Sequence, residues 1–149
     1  MTLSTKDGNE PVAHLGKAEE LNTIGYNVDA VPGDVVLPIS AAMQILFNVF
    51  DKWEIRKAQQ AAMLGISSST LARYHKGAFP QKTKTIARME DLLRIELMLN
   101  VLFGQGTQVN WITNKNTHFD DSSPIEYMSK NGTEEVRQYL ENAVYTGGW

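Results

Sequence analysis

Between Ala58 and Lys76 three residues stand at a spacing that few folds satisfy: Ala61, Gly65 four positions on, and Leu71 six positions after that. Two helices meeting in a tight turn need a small residue where they touch and a residue tolerating positive φ between them. They also need an apolar residue to lock the second helix down. Leu64, Ile66 and Tyr74 fill the remaining inward positions. The spacing predicts a first helix from about Ala58 to Leu64 and a second from about Ser68 to Lys76, with Ser68 as its N-cap. In a helix-turn-helix the N-terminal residues of the second helix enter the major groove of DNA. The outward positions Ser67, Ser68, Ser69, Thr70, Ala72, Arg73 and Lys76 are therefore candidate contacts, with Gln59 and Gln60 where the supporting helix meets the backbone. Short hydroxyls bond phosphates or base edges, and Arg73 reaches guanine or a phosphate. The serine run offers less base-specific readout than Gln or Asn, so specificity is expected to need two copies on a paired operator. The same spacing also suits a plain helical hairpin that never touches DNA.

Charge favours the first alternative. From Ile55 to Arg88 there are seven basic residues (Arg56, Lys57, Arg73, Lys76, Lys82, Lys84, Arg88) and no Asp or Glu. The block carries +7, so the other 115 residues carry −10 within a net charge of −3. A basic segment in an acidic chain is the pattern of a phosphate-binding face attached to something with another task. Lys82 joins the candidate DNA contacts on this ground.

With 149 residues the chain holds one domain or two small helical ones sharing a core, and 42% apolar residues suffice to build it. The absence of Cys excludes disulfides, thiol catalysis and Cys-type zinc sites, and fits a reducing compartment. The start, MTLSTKDGNE, lacks the pattern of a signal peptide, and no apolar run reaches the roughly 18 residues of a membrane span. A soluble cytoplasmic protein is expected. His14, His75 and His118 are scattered, so no metal site or cofactor is expected. Gly104-Gln105-Gly106-Thr107 follows a helix and lacks the Lys of a phosphate loop. Asp120-Asp121 beside Glu126 fits a helix start better than a carboxylate pair, and no catalytic constellation emerges.

Along the chain, residues 1–36 lack a sustained period and read as a flexible arm, with room for a short helix near His14 to Asn22. Order begins at Pro38-Ile39-Ser40. Ser40 suits an N-cap, and Ile45, Leu46, Val49, Phe50 and Trp53 follow at helical spacing. Residues 37–82 form the helix-turn-helix region and 83–149 a linker helix with a C-terminal domain. Thr83 can cap a long helix to Phe103, ended by Gly104, with an apolar face broad enough to link two halves or make a dimer seam. A short helix from about Thr107 to Ile112 comes next. Ser123-Pro124-Ile125-Glu126 is a capping-box signature, Asn131-Gly132 a turn, and Thr133 the opening of a last helix to about Val144. No segment reads as a strand, and the fold class is all-α.

From about Ser40 to Val144 the sequence resembles the antitoxins of the Xre/MbcA/ParS group, partners of RES-domain toxins. The marks, in order, are Phe50-Asp51-Lys52-Trp53, Ala62 to Ser67 with Ser69-Thr70-Leu71, and Arg88 to Ile95. Leu102-Phe103-Gly104, Trp111-Ile112 with Asn116, and Ser123 to Met128 continue the series. One departure is Asp120-Asp121, where the group has a small or Leu-Gly pair; the Gly-rich ending is Tyr145 to Trp149. The resemblance implies a Cro/Xre-like bundle joined by the long helix to a small helical toxin-binding domain. It also implies a C-terminal half that blocks an NAD-degrading toxin and a helix-turn-helix that represses the shared operon. Carried over by position, the toxin-facing part is Ser123 to Val144 with the tail, and its candidate contacts are Glu126, Tyr127, Arg137, Tyr145, Gly147, Gly148 and Trp149. From Asp120 onward six acidic residues stand against Lys130 and Arg137, which suits a protein partner and avoids the chain's own DNA face.

The leading expectation is a dimeric antitoxin that binds operator DNA and a RES-domain toxin. Two alternatives stay open. One is a stand-alone regulator whose C-terminal half dimerises or binds a ligand. The other is an interaction module with a vestigial helix-turn-helix.

Overall fold

The computed structural model describes residues 10–17, 34–104 and 107–146. Seven α-helices lie among the described residues: α1 (Ile39–Trp53), α2 (Lys57–Leu64), α3 (Ser68–His75), α4 (Thr83–Phe103), α5 (Gln108–Thr113), α6 (Pro124–Asn131) and α7 (Glu134–Tyr145). The mostly helical expectation holds, with one addition. Strands β1 (Val12–Lys17) and β2 (Asp34–Pro38) pair antiparallel, Val12 opposite Pro38 and His14 opposite Val36.

This hairpin corrects the reading that no segment is a strand. β1 falls in the stretch read as an arm, and His14 to Lys17 belong to it rather than to a helix; residues 18–22 lie outside the described residues. The register shifts between His14 and Gly16, and Gly16 takes φ 113° there. The shift breaks the alternation that marks a strand in sequence. What holds the hairpin is tertiary: Ala13 and Leu15 are fully buried, and the His14 amide donates to Glu90 Oε2 at 2.7 Å. A two-stranded ladder is marginal unless it packs on something.

The start of α1 is also capped from a distance. Pro38 is the N-cap residue and offers no side-chain bond, so Ser40 is not the cap but the second helical residue. The Ser40 amide donates to Glu10 Oε1 at 2.6 Å, and the Ile39 amide to the Pro11 carbonyl at 2.9 Å. A carboxylate at a helix N-terminus satisfies orphan N–H groups and suits the dipole. Likewise Thr83 is the first residue of α4 rather than its cap; Lys82 holds that position, without a side-chain bond.

α4 is the spine. It packs against β1, α1, α2, α5 and α7, and every residue from Ile95 to Asn100 is buried. Ile95, Leu97, Met98 and Leu99 spread apolar surface around the helix, so that stretch must be enclosed. α2 packs against α6, so the helix-turn-helix and the C-terminal helices share one continuous core that includes Ala61, Leu64, Met128 and Leu140. No described helix is long and apolar enough to cross a membrane.

Candidate nucleic-acid interface

The turn between α2 and α3 is built as its residue types dictate. Gly65 has φ 71°, and its amide bonds the Ala62 carbonyl while that of Ile66 bonds the Ala61 carbonyl, closing the end of α2. Leu71 and Tyr74 point into the core; Ile66 is half-buried. The cap of α3 is Ser67, one residue before the expected Ser68. Its Oγ accepts from the Thr70 amide at 3.1 Å and bonds Thr70 Oγ1 at 3.0 Å. Ser67 and Thr70 thus use their hydroxyls inside the helix start, whereas Ser68 makes no such bond and is exposed. Ser69 is exposed too, its Oγ 3.1 Å from that of Ser67.

The exposed cations divide between the two flanks of α3. Arg73 and Lys82 border a cavity of about 550 Å³ on the side facing the start of α4. Lys57 and Lys76 border a second one of about 220 Å³ on the opposite side. Lys57, in the basic block but not among the expected contacts, therefore belongs with them. His75 lines the same flank, stacked on Phe47 with ring centres 3.8 Å apart. Burial and the charge of Lys57, partly opposed by Asp51, hold its imidazole below the ordinary value. Gln59 is half-buried on α2. Gln60 points inward, donating from Nε2 to the Ile55 carbonyl at 3.0 Å, and is corrected from a backbone contact to a core residue.

Arg88 is also misplaced by a count of charges. Its guanidinium lies over the turn and donates to the Met63 carbonyl at 3.3 Å and, at 3.5 Å, to that of Ala62. The basic residue at the end of the block thus serves the C-terminus of α2.

The C-terminal half begins with the capping box as read. Ser123 Oγ accepts from the Glu126 amide at 3.1 Å, and the Ser123 amide donates to Glu126 Oε1 at 3.3 Å. These bonds hold the exposed Glu126 carboxyl below the ordinary range. Arg137 is tied inward. It pairs with Asp91 of α4 at 2.6 Å and with Glu141, and Thr133 Oγ1 donates to Asp91 Oδ2 at 2.8 Å. This network fastens α7 to α4. Tyr145 is 73% exposed, and Gly147, Gly148 and Trp149 lie outside the described residues. An aromatic face was not anticipated: Trp111, His118 and Tyr139 surround buried Phe119, with Tyr139 4.3 Å from His118 and 6.2 Å from Trp111. The rings come from three separate segments, so no local period announces them.

Tyr127 gives a direct check on this half. Its hydroxyl donates to Glu135 Oε2 at 2.5 Å, and this bond is the main reason its phenol is pushed up to about 12. Ultraviolet titration is expected to show one tyrosine ionising near that value, and Glu135→Gln to bring it back towards 10. Unchanged titration in the variant would break the assignment.

Asp120 and Asp121, the departure from the resembling group, both adopt left-handed backbone, φ 57° and 60°. Asp tolerates that region better than most residues but less well than glycine. Asp121→Gly is expected to stabilise the fold by about 0.5 kcal/mol in chemical denaturation.

Comparison with known families agrees with this geometry. Residues 34–94 match the model of the antitoxin Xre-like helix-turn-helix domain. Residues 98–144 match that of the antitoxin Xre/MbcA/ParS C-terminal toxin-binding domain. No curated protein matches the chain. Two family models in succession, one for a helix-turn-helix carrying cations on both flanks and one for the acidic helical half behind it, leave only residues 95–97 between them: the chain belongs to the Xre/MbcA/ParS-type antitoxins of toxin–antitoxin systems.

Proposed function

We propose that this antitoxin neutralises a RES-domain toxin that degrades NAD, and that as a cytoplasmic homodimer it represses the operon encoding both. The observation that carries the regulatory half is the pair of cationic flanks on α3, Arg73 with Lys82 and Lys57 with Lys76. A helix in the major groove lies between two phosphate rows, and cations on both sides meet both rows. Ser68, Ser69 and Ala72 then face the bases. The DNA-contacting set is Gln59, Ser67, Ser68, Ser69, Thr70, Arg73, Lys76 and Lys82, extended by Lys57.

For the toxin, the supporting features are the exposed acids Asp120, Asp121, Glu126, Glu134 and Glu135, the exposed Tyr145, and the half-exposed rings Trp111, Tyr127 and Tyr139. Aromatic anchors within a charged rim are the usual carriers of binding energy. The glycines and Trp149 of the tail would extend that surface, whereas Arg137 contributes by positioning α7. Residues 37–82 then carry DNA recognition and residues 83–149 toxin binding.

Co-expression with a RES-domain protein encoded in an adjacent reading frame tests the proposal. A stable complex and restored growth are expected; no complex and no rescue would refute it. Arg73→Ala with Lys76→Ala is expected to weaken operator binding and to lower the salt slope by about two. Deleting Tyr145 to Trp149 is expected to leave DNA binding intact and to reduce neutralisation.

A further inference from the structure

Two side chains lining the cavity between α3 and the start of α4 carry hydroxyls that the fold itself does not use. Tyr74 is 8% exposed and Thr85 6%. Neither hydroxyl has a hydrogen-bond partner among the described residues, neither is sealed from solvent, and both residues line the cavity of about 550 Å³. A hydroxyl that reaches solvent without a protein partner keeps its donor free, so two on one wall can serve an acceptor from outside. Arg73 and Lys82 supply positive charge at the same cavity, and no carboxylate lines it among the described residues. Two O–H donors and two cations without an acid make a chemistry selective for oxyanions.

We propose that this cavity is a phosphate pocket: Tyr74 Oη and Thr85 Oγ1 donate hydrogen bonds to a phosphate group whose charge Arg73 and Lys82 balance. The proposal deepens the DNA-binding assignment and rests on it. The phosphate comes either from the backbone of the duplex gripped by α3 or from a free phosphorylated small molecule, for which the volume leaves room. Tyr74→Phe and Thr85→Val remove the donors and preserve shape and charge.

The test measures duplex binding across a salt series using DNA from the region upstream of the gene. Calorimetry with inorganic phosphate and with AMP runs in parallel. Each variant is expected to keep the wild-type melting temperature and to bind duplex roughly tenfold more weakly. The salt slope should stay unchanged, because no charge is lost. Wild-type-like duplex binding by both variants, with AMP and phosphate failing to bind, overturns the pocket and leaves the DNA assignment standing. If the wild type binds no duplex, the DNA assignment fails, and the pocket stands or falls on whether AMP or phosphate binds and loses affinity in Tyr74→Phe. AMP that binds and displaces duplex assigns the phosphate to a small molecule; sensitivity confined to duplex assigns it to the backbone.

Discussion

Replacing Gly65 with alanine is expected to lower the stability of the chain by about 1–2.5 kcal/mol, a large effect for one methyl group. Two causes add. The backbone there has φ 71°, where an L-residue with a Cβ is strained by about 1–2 kcal/mol. The new Cβ would also lie 2.7 Å from Nη1 of Arg88 and 3.1 Å from its Cζ. The guanidinium must then leave the Met63 and Ala62 carbonyls, and the C-terminus of α2 loses its cation. A smaller unfolded-state entropy returns roughly 0.4–1 kcal/mol. Arg88→Ala alone should cost about 1 kcal/mol, for the charge-assisted bonds to half-buried carbonyls. The decisive measurement is the double-mutant cycle by chemical denaturation. Because Arg88→Ala removes the clash, the double variant should be more stable than the sum of the singles by at least about 0.5 kcal/mol. Additive losses would mean that Arg88 swings away freely and is no part of the turn. Arg88 also reaches the other half of the molecule, since a Cβ on Gly132 would stand 3.6 Å from its Nη2. Hydrogen exchange in Arg88→Ala is therefore expected to quicken both at the end of α2 and at the turn between α6 and α7.

A second large effect is expected at the buried carboxylate of α4. Glu96 is 1% exposed, and its Oε2 meets Lys52 Nζ at 2.9 Å while its Oε1 accepts from Trp53 Nε1 at 3.2 Å. Removing the cation with Lys52→Met leaves a buried charge with one neutral donor. Breaking a fully buried pair costs roughly 3–5 kcal/mol. Lys52 is 36% exposed, so water can approach the vacated side and about 2 kcal/mol is the expected loss. Glu96→Gln keeps an acceptor for Trp53 and removes the charge, so Lys52→Met with Glu96→Gln should recover part of that loss. If the double variant is no more stable than Lys52→Met, the carboxylate's charge is not what the lysine balances. Trp53→Ala tests the other partner, and the loss should be about 3–5 kcal/mol, because a fully buried ring leaves a large void.

The features legible in advance share one property. The capping box at Ser123 and Glu126, the left-handed Gly65, the stop at Gly104 and the apolar stripe of α1 all join residues within a few positions of one another. Where the reading slipped, it slipped by a residue or crossed the molecule. Ser67 rather than Ser68 caps α3 because three consecutive serines offer equivalent side chains, and only backbone geometry selects among them. Glu10 caps α1 from 30 residues away, which no local pattern can announce. Arg88 counted in the basic block and Arg137 as a toxin contact, and each is bound to a different part of the chain: Arg88 to the carbonyls ending α2, Arg137 of α7 to Asp91 of α4.

By itself, then, the amino-acid sequence determined the helices, the turn geometry between α2 and α3, the basic block and the acidic half. Propensity, capping and φ preference act between neighbours, and charge is a sum over residue types. Only the tertiary structure decided which cations flank α3, which arginines serve the core, that β1 and β2 pair, and that Tyr74 and Thr85 meet at one cavity. Those outcomes depend on contacts between segments tens of residues apart. Their partners are selected when the stretch of α4 from Ile95 to Asn100 is enclosed, and the chain carries no local record of that enclosure.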